Sequence, residues 1–168
     1  MHQISHLLNI GHHIIVKMRA IIIISLLLIA NFNSQAQEIK NGYIIEESKS
    51  ALGVETISSQ RFTPSQSDVD LAEKIVLDNK RNIKRLPIYK MQRPGVFCHY
   101  NKYFRQYVGF IDQSGNKIIL INYIRDKQLI KKEDVSEIIS VLDGGNRFWY
   151  AVVNLQQQDL IKVNINRN

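Results

Sequence analysis

The spacing of apolar side chains changes twice along this chain. Residues 20–30 are uncharged and apolar but for Ser25. Residues 69–76 carry apolar side chains at helical intervals, and from residue 103 an alternation of period two takes over. The middle segment predicts the main helix. In "TPSQSDVDLAEKIVLDNKR" (63–81), Thr63 is placed as N-cap, Pro64 as first helical residue and Gln66 as partner in a capping box. Asp68, Asp70 and Glu73 sit toward the positive end of the helix dipole, and Lys80 and Arg81 toward the negative end. Val69, Ala72, Ile75, Val76 and Asn79 share one stripe, which predicts a buried face.

The period-two segments predict strands. "YFRQYVGFID" (103–112) and "KIILINYI" (117–124) flank Gln113-Ser114-Gly115-Asn116, where a glycine in a short polar loop permits positive φ, and so read as a hairpin. Residues 118–124 are apolar on both alternating sets, so neither face of that strand can be fully solvated. "RFWYAVVNL" (147–155) and "DLIKVNIN" (159–166) follow, joined by three glutamines. In the last, Ile161, Val163 and Ile165 alternate with polar residues, as in an edge strand. Residues 126–142 are ambiguous, with room for a short helical turn near Lys132–Glu137 and a strand at Ile138–Leu142. The predicted fold is α+β: one long helix packed on a curved antiparallel sheet of four to five strands, in a cystatin-like order. Residues 62–168 form this domain. Residues 37–61 are a lead-in arm with β-like pieces at Tyr43–Ile45 and Val54–Ile57.

The apolar run changes the picture at the N-terminus. Arg19, the run Ala20–Ala30 and Ser34-Gln35-Ala36 have the layout of a secretory signal with small residues at −3 and −1 of a cleavage site, and the run falls short of the ~20 residues of a membrane span. Residues 1–36 are therefore read as an extension and signal peptide, with translation starting at Met18. His2, His6, His12 and His13 lie upstream of that signal and leave with it, so His99 is the single histidine of the exported chain. Export implies a periplasmic or extracellular protein. Cys98 is the only cysteine, which rules out an internal disulfide.

Composition is that of a globular chain, 45% hydrophobic and 22% charged, so a packed core is expected. Net charge is formally +7, and loss of Lys17 and Arg19 with the leader takes it to +5. No acid falls between Asp78 and Asp112, while Lys80, Arg81, Lys84, Arg85, Lys90, Arg93, Lys102 and Arg105 do. Cations interleaved with aromatics suit polyanion binding. For an exported chain the expected anion is a lipid headgroup, a surface polysaccharide or an acidic protein partner, with nucleic acid not expected. The candidate binding residues are Lys84, Arg85, Lys90, Arg93, Tyr100, Lys102, Tyr103, Arg105 and Trp149. The sheet face away from the helix needs a cover, supplied by the arm, by a partner or by a second copy in a homodimer.

Other strings carry weaker chemistry. Asp143-Gly144-Gly145-Asn146 runs into a β-rich segment and not a helix, so it reads as a hairpin turn, not a phosphate cradle. If "VFCHY" is a strand, Cys98 and His99 point to opposite faces and form no catalytic pair, with Cys98 a small buried hydrophobe. No catalytic residue, metal site or cofactor is assigned. The alternative function is a hydrolase with a shallow carboxylate site at Asp112, Asp143, Asn146 and Trp149. A cystatin-like inhibitor ranks lower, because the "QxVxG" string of those inhibitors is missing.

The strings "RQYVGFIDQSGNKIILIN" and "DGGNRFWYAVVNL" resemble a group of small exported proteins of Bacteroidetes-type bacteria without assigned activity. The resemblance covers roughly the last hundred residues and rests on strand and turn patterns. It implies export and the α+β fold, and no mechanism.

Overall fold

The computed structural model describes residues 38–166 apart from 40, 51–57, 59, 91–94, 133 and 142–143. The segment read as a secretory signal and Met18 lie outside the described residues, as do the β-like piece at Val54–Ile57, Arg93 and Asp143.

Four long strands form an antiparallel meander: β4 (Phe104–Ile111), β5 (Lys117–Ile124), β6 (Phe148–Asn154) and β7 (Asp159–Ile165). The arm is part of the same sheet. β1 (Glu38–Ile39) pairs with β2 (Gly42–Ile45), β2 runs parallel to β4 from Gly42 opposite Arg105 to Ile45 opposite Val108, and β3 (Arg61–Phe62) pairs antiparallel further along β4. The sheet is thus mixed and has seven strands, wider than the antiparallel four or five expected. Two short pieces of the arm share one edge of β4, too brief to show periodicity of their own.

The β4–β5 corner is built as its sequence suggests. Gly115 has φ +81°, and Asp112 Oδ1 accepts the backbone N–H groups of Ser114 and Asn116, each at 2.8 Å. At the entry to β6, Gly145 has φ +55° and Gly144 leaves room for the Phe148 ring, which a Cβ there would meet at 1.8 Å. The glycines turn the chain into a strand, as expected. The upstream partner is irregular, however, so a 3₁₀ turn at Gly145–Arg147 takes the place of the hairpin.

Helix α1 (Gln66–Asp78) begins two residues later than expected. Ser65 is the N-cap, with a capping box to Asp68. Thr63 instead accepts the Glu47 N–H at 3.1 Å, tying the arm to the helix start. Val69, Ala72, Ile75 and Val76 are buried against Ile119, Ile121, Ala151 and Val153. At about 1.5–3 kcal/mol for each fully buried large aliphatic side chain, this stripe holds the helix to the sheet. Short helices follow at α2 (Lys80–Ile83) and α3 (Pro87–Lys90). Among the described residues no helix is long and apolar enough to cross a membrane.

The other sheet face is covered by the segment whose structure the sequence left open. Helix α4 (Lys127–Lys132) and the irregular stretch 134–141 lay Leu129, Ile130, Val135, Ile139 and Val141 around Ile124 and Phe148. The expected turn forms, with Glu137 N–H donating to Asp134 O at 3.0 Å, but the helix comes earlier, and the described residues of 138–142 make no ladder. Side-chain amides replace that ladder. Gln106, fully buried on β4, donates to Val135 O at 3.0 Å and Glu137 O at 2.6 Å, and accepts from Ile139 N at 2.9 Å. Asn122 on β5 donates to Ile139 O at 2.8 Å and to Gln106 Oε1 at 3.1 Å. At the far edge, Ile161 is the extra residue of a β-bulge between Val152 and Val153. It turns outward, 54% exposed, and passes its expected inward place to Leu160.

Gln106→Leu keeps the volume but orphans the Ile139 N–H and two carbonyls. We expect a loss of about 3 kcal/mol in denaturant unfolding, with amide exchange at Ile139 accelerated more than at Val76. Unchanged stability would show that the amides do not hold this cover.

Candidate functional site

The stretch "VFCHYNK" forms a ridge. Val96–Lys102 is a 3₁₀ helix kinked at His99, where φ is −130°. The strand expected for "VFCHY" does not form. Phe97, Tyr100 and Tyr103 recur at intervals of three, the 3₁₀ repeat, which aims them together into the core. Phe97 packs on Tyr100 (centroids 5.5 Å), on Tyr89 (6.1 Å) and edge-on to Trp149 (5.9 Å). Cys98 is consequently turned to solvent and is not the buried hydrophobe expected. Asn101 and Lys102 are also exposed.

Clefts flank the ridge on both sides. One, of about 380 Å³, is lined by Leu77, Lys80 and residues 97–102. The other, of about 570 Å³, is lined by Asn41, Asn101, Lys102, Tyr103, Phe104, Lys127 and Ile130. Asn101 and Lys102 are common to both, and among the described residues neither lining holds a carboxylate. Lys80 Nζ lies 5.5 Å from the centroid of the Phe97 ring, and the Arg125 guanidinium is at the same distance from that of Tyr103. Loss of solvation, with Arg125 and Lys102 nearby, lowers the pKa of His99. The ridge is electropositive at its crest.

Beneath it lies a charged cluster that fixes its position. Glu73 projects from α1 toward the sheet, its side chain 19% exposed against 11% for Arg105. Arg105 Nε stands 3.1 Å from Glu73 Oε1, an ion-pair contact without hydrogen-bond alignment. The same guanidinium donates to the carbonyls of Tyr103 and Tyr100 at 2.9 Å each, gripping the end of the ridge. Tyr107 donates to Oε1 at 3.0 Å and Tyr100 to Oε2. The Tyr123 hydroxyl is 3.1 Å from that of Tyr100 and 3.4 Å from Oε1. Tyr123 stacks on Trp149 at 3.8 Å and 4°. Burial, and then the Glu73 carboxylate, raise the phenol pKa values of Tyr100, Tyr107 and Tyr123 well above the ordinary value. Burial pushes Tyr103 up to about 12.

The sequence-derived binding set therefore divides. Lys84, Arg85 and Lys90 are exposed on the short helices and their connection, Lys102 is exposed on the ridge, and Arg93 lies outside the described residues. Tyr100 is half-buried, lining one cleft from below. Arg105 and Trp149 are buried in the core as supports beneath the ridge, and Tyr103, though buried, lines the second cleft. Of the carboxylate grouping, Asp112 and Trp149 are held apart. Asp112 is held in its turn, its pKa lowered by the Asn116 side chain and by backbone N–H groups, while Trp149 pairs with Tyr123 at the other end of β5. Six residues separate Lys117 from Tyr123, roughly 20 Å of strand. Asp143 is outside the described residues.

Sequence reasoning missed Glu73, read only as a helix-dipole acid. Its place four residues after Val69 and three before Val76, at the margin of the apolar stripe, was the available signal. Asn41, Lys127 and Ile130 were missed for want of any local pattern. Comparisons with protein-family models, curated proteins and solved structures gave no match.

Glu73→Gln leaves Arg105 without its counter-charge. A loss of about 2–4 kcal/mol is expected, toward the lower side of the cost of orphaning a buried partner because the pair is partly hydrated. Equal stability of variant and parent would remove Glu73 as the keystone. Base should also unfold the protein through the tyrosines. Their folded pKa values lie above the ordinary 10.0, so the unfolded chain ionises first, and stability is lost as pH rises from about 10 through the folded values. Tyrosinate absorbance should then appear cooperatively with unfolding. Gradual ionisation within a folded protein would contradict this.

Proposed function

We propose that this is an exported, non-enzymatic binding domain that captures an anionic component of the cell envelope, or an acidic protein partner, on the ridge Val96–Lys102. The observation that carries this reading is the pair of clefts meeting at Asn101 and Lys102, with Lys80 in one wall and Lys127 in the other and no carboxylate among the described lining residues. Export rests on the signal-like segment before Gln37. The helix lying across the meander supports the cystatin-like order as a scaffold. The chain has no "QxVxG" string, so inhibition is not part of the proposal.

The segment 127–141 already covers much of the second sheet face, which moves the expected contact from that face to the ridge. Lysines at cleft walls attract anions through a field that salt screens over about 10 Å at 0.1 M.

The protein should be retained on phosphocellulose at low ionic strength and released by salt, and Lys102→Gln combined with Lys127→Gln should elute earlier. Passage through the column at low salt, or elution of the double variant with the parent, would refute the proposal.

A further inference from the structure

We infer that the ligand of the ridge is a carboxylated polysaccharide chain that lies across it and occupies both clefts at once. This rests on the anion-binding reading above and narrows it to one chemistry.

Continuity is the first argument. The clefts share Asn101 and Lys102 as a common wall, so a ligand entering one meets the other without leaving the protein. Volumes of about 380 and 570 Å³ both fall within the ~300–1,000 Å³ of small-molecule sites. Two adjoining sites of that size suit consecutive units of a chain better than one compact anion.

The lining chemistry is the second. Lys80, Lys102 and Lys127 supply separated point charges, as a polymer with a charge on each repeat requires, and among the described residues no arginine fork for a single phosphate lines either cleft. Asn41 and Asn101 each offer an amide that both donates and accepts, the complement of neighbouring sugar hydroxyls. Leu77 and Phe97 on one side, and Phe104 and Ile130 on the other, give apolar walls for the C–H faces of sugar rings.

Competing ligands fit less well. An extended acidic peptide is normally held by backbone pairing along an open strand edge. These linings come mainly from a 3₁₀ helix, the end of α1, the start of α2, and α4. A bilayer would meet a broad face with several protruding apolar side chains. At these clefts the large exposed hydrophobic residue is Leu77, at 45%.

The test titrates the full chain calorimetrically with oligogalacturonate, with neutral dextran oligomers, with polyglutamate and with phosphatidylglycerol vesicles. Saturable binding is expected for oligogalacturonate alone, growing tighter with oligomer length until both clefts are spanned. The double variant Lys102→Gln, Lys127→Gln should bind about tenfold more weakly, while Lys162→Gln on β7, which removes the same type of charge, should bind as the parent does. The His99 imidazole signal should shift on saturation. Polyglutamate or vesicles binding as tightly as the oligosaccharide would overturn the saccharide assignment and leave the anion-binding reading standing. An equal loss in Lys162→Gln would reduce the effect to net charge and overturn the site. Failure of every anion to bind would overturn both readings.

Discussion

A carboxylate carried by a helix toward a sheet has to be solvated by the protein itself, and the region around the ridge is organised by that requirement. Glu73 replaces its water with the hydroxyls of Tyr100 and Tyr107 and the guanidinium of Arg105. An ionised group that loses hydration costs several kcal/mol unless such partners are present, so helix α1, β4, β5 and the 3₁₀ segment are obliged to meet at one point. Arg105 extends the constraint outward by holding the carbonyls of Tyr100 and Tyr103. The partly buried acid thereby sets the height and orientation of an exposed basic ridge.

The opposite sheet face solves a related problem with neutral groups. β4 and β5 each direct one amide side chain, Gln106 and Asn122, away from the helix into an otherwise apolar layer. Those amides take the backbone groups of 135–139 that a strand partner would have taken. A stretch of chain without regular structure can lie on a sheet only if its polar backbone is satisfied in this way. Apolar residues on both faces of β5 therefore signal a two-sided core within this chain.

How much of this the sequence disclosed depends on the range of each interaction. The stripe Val69, Ala72, Ile75, Val76 and the alternation of β5 were legible because both follow from the repeat of a single element. The Asp112–Asn116 corner was legible because its hydrogen bonds span two and four residues. The helix start was misjudged by two residues because Thr63 and Ser65 are both competent caps, and the arm claims the Thr63 hydroxyl. Ile161 was misplaced because a bulge reverses alternation without leaving a mark in composition. Of the candidate site, the concentration of cations in the acid-free stretch was legible, and Lys84, Lys90 and Lys102 are exposed. Arg105, Tyr103 and Trp149 were not distinguished from them, since residue type alone does not say which cation is at the surface.

By itself the sequence determined the order of helix and strands, the corners between the long strands, and a concentration of positive charge around residues 79–111. Local sterics and side-chain period fix these within a few residues. Only the tertiary structure decided that β2 runs parallel to β4, that Leu129, Ile130, Val135, Ile139 and Val141 cover part of the second face, and that Glu73 meets Tyr100, Arg105, Tyr107 and Tyr123. These contacts join residues up to 63 positions apart, as Gly42 and Arg105 are. Their energy comes from shared desolvation, which no one segment can encode without the others in place.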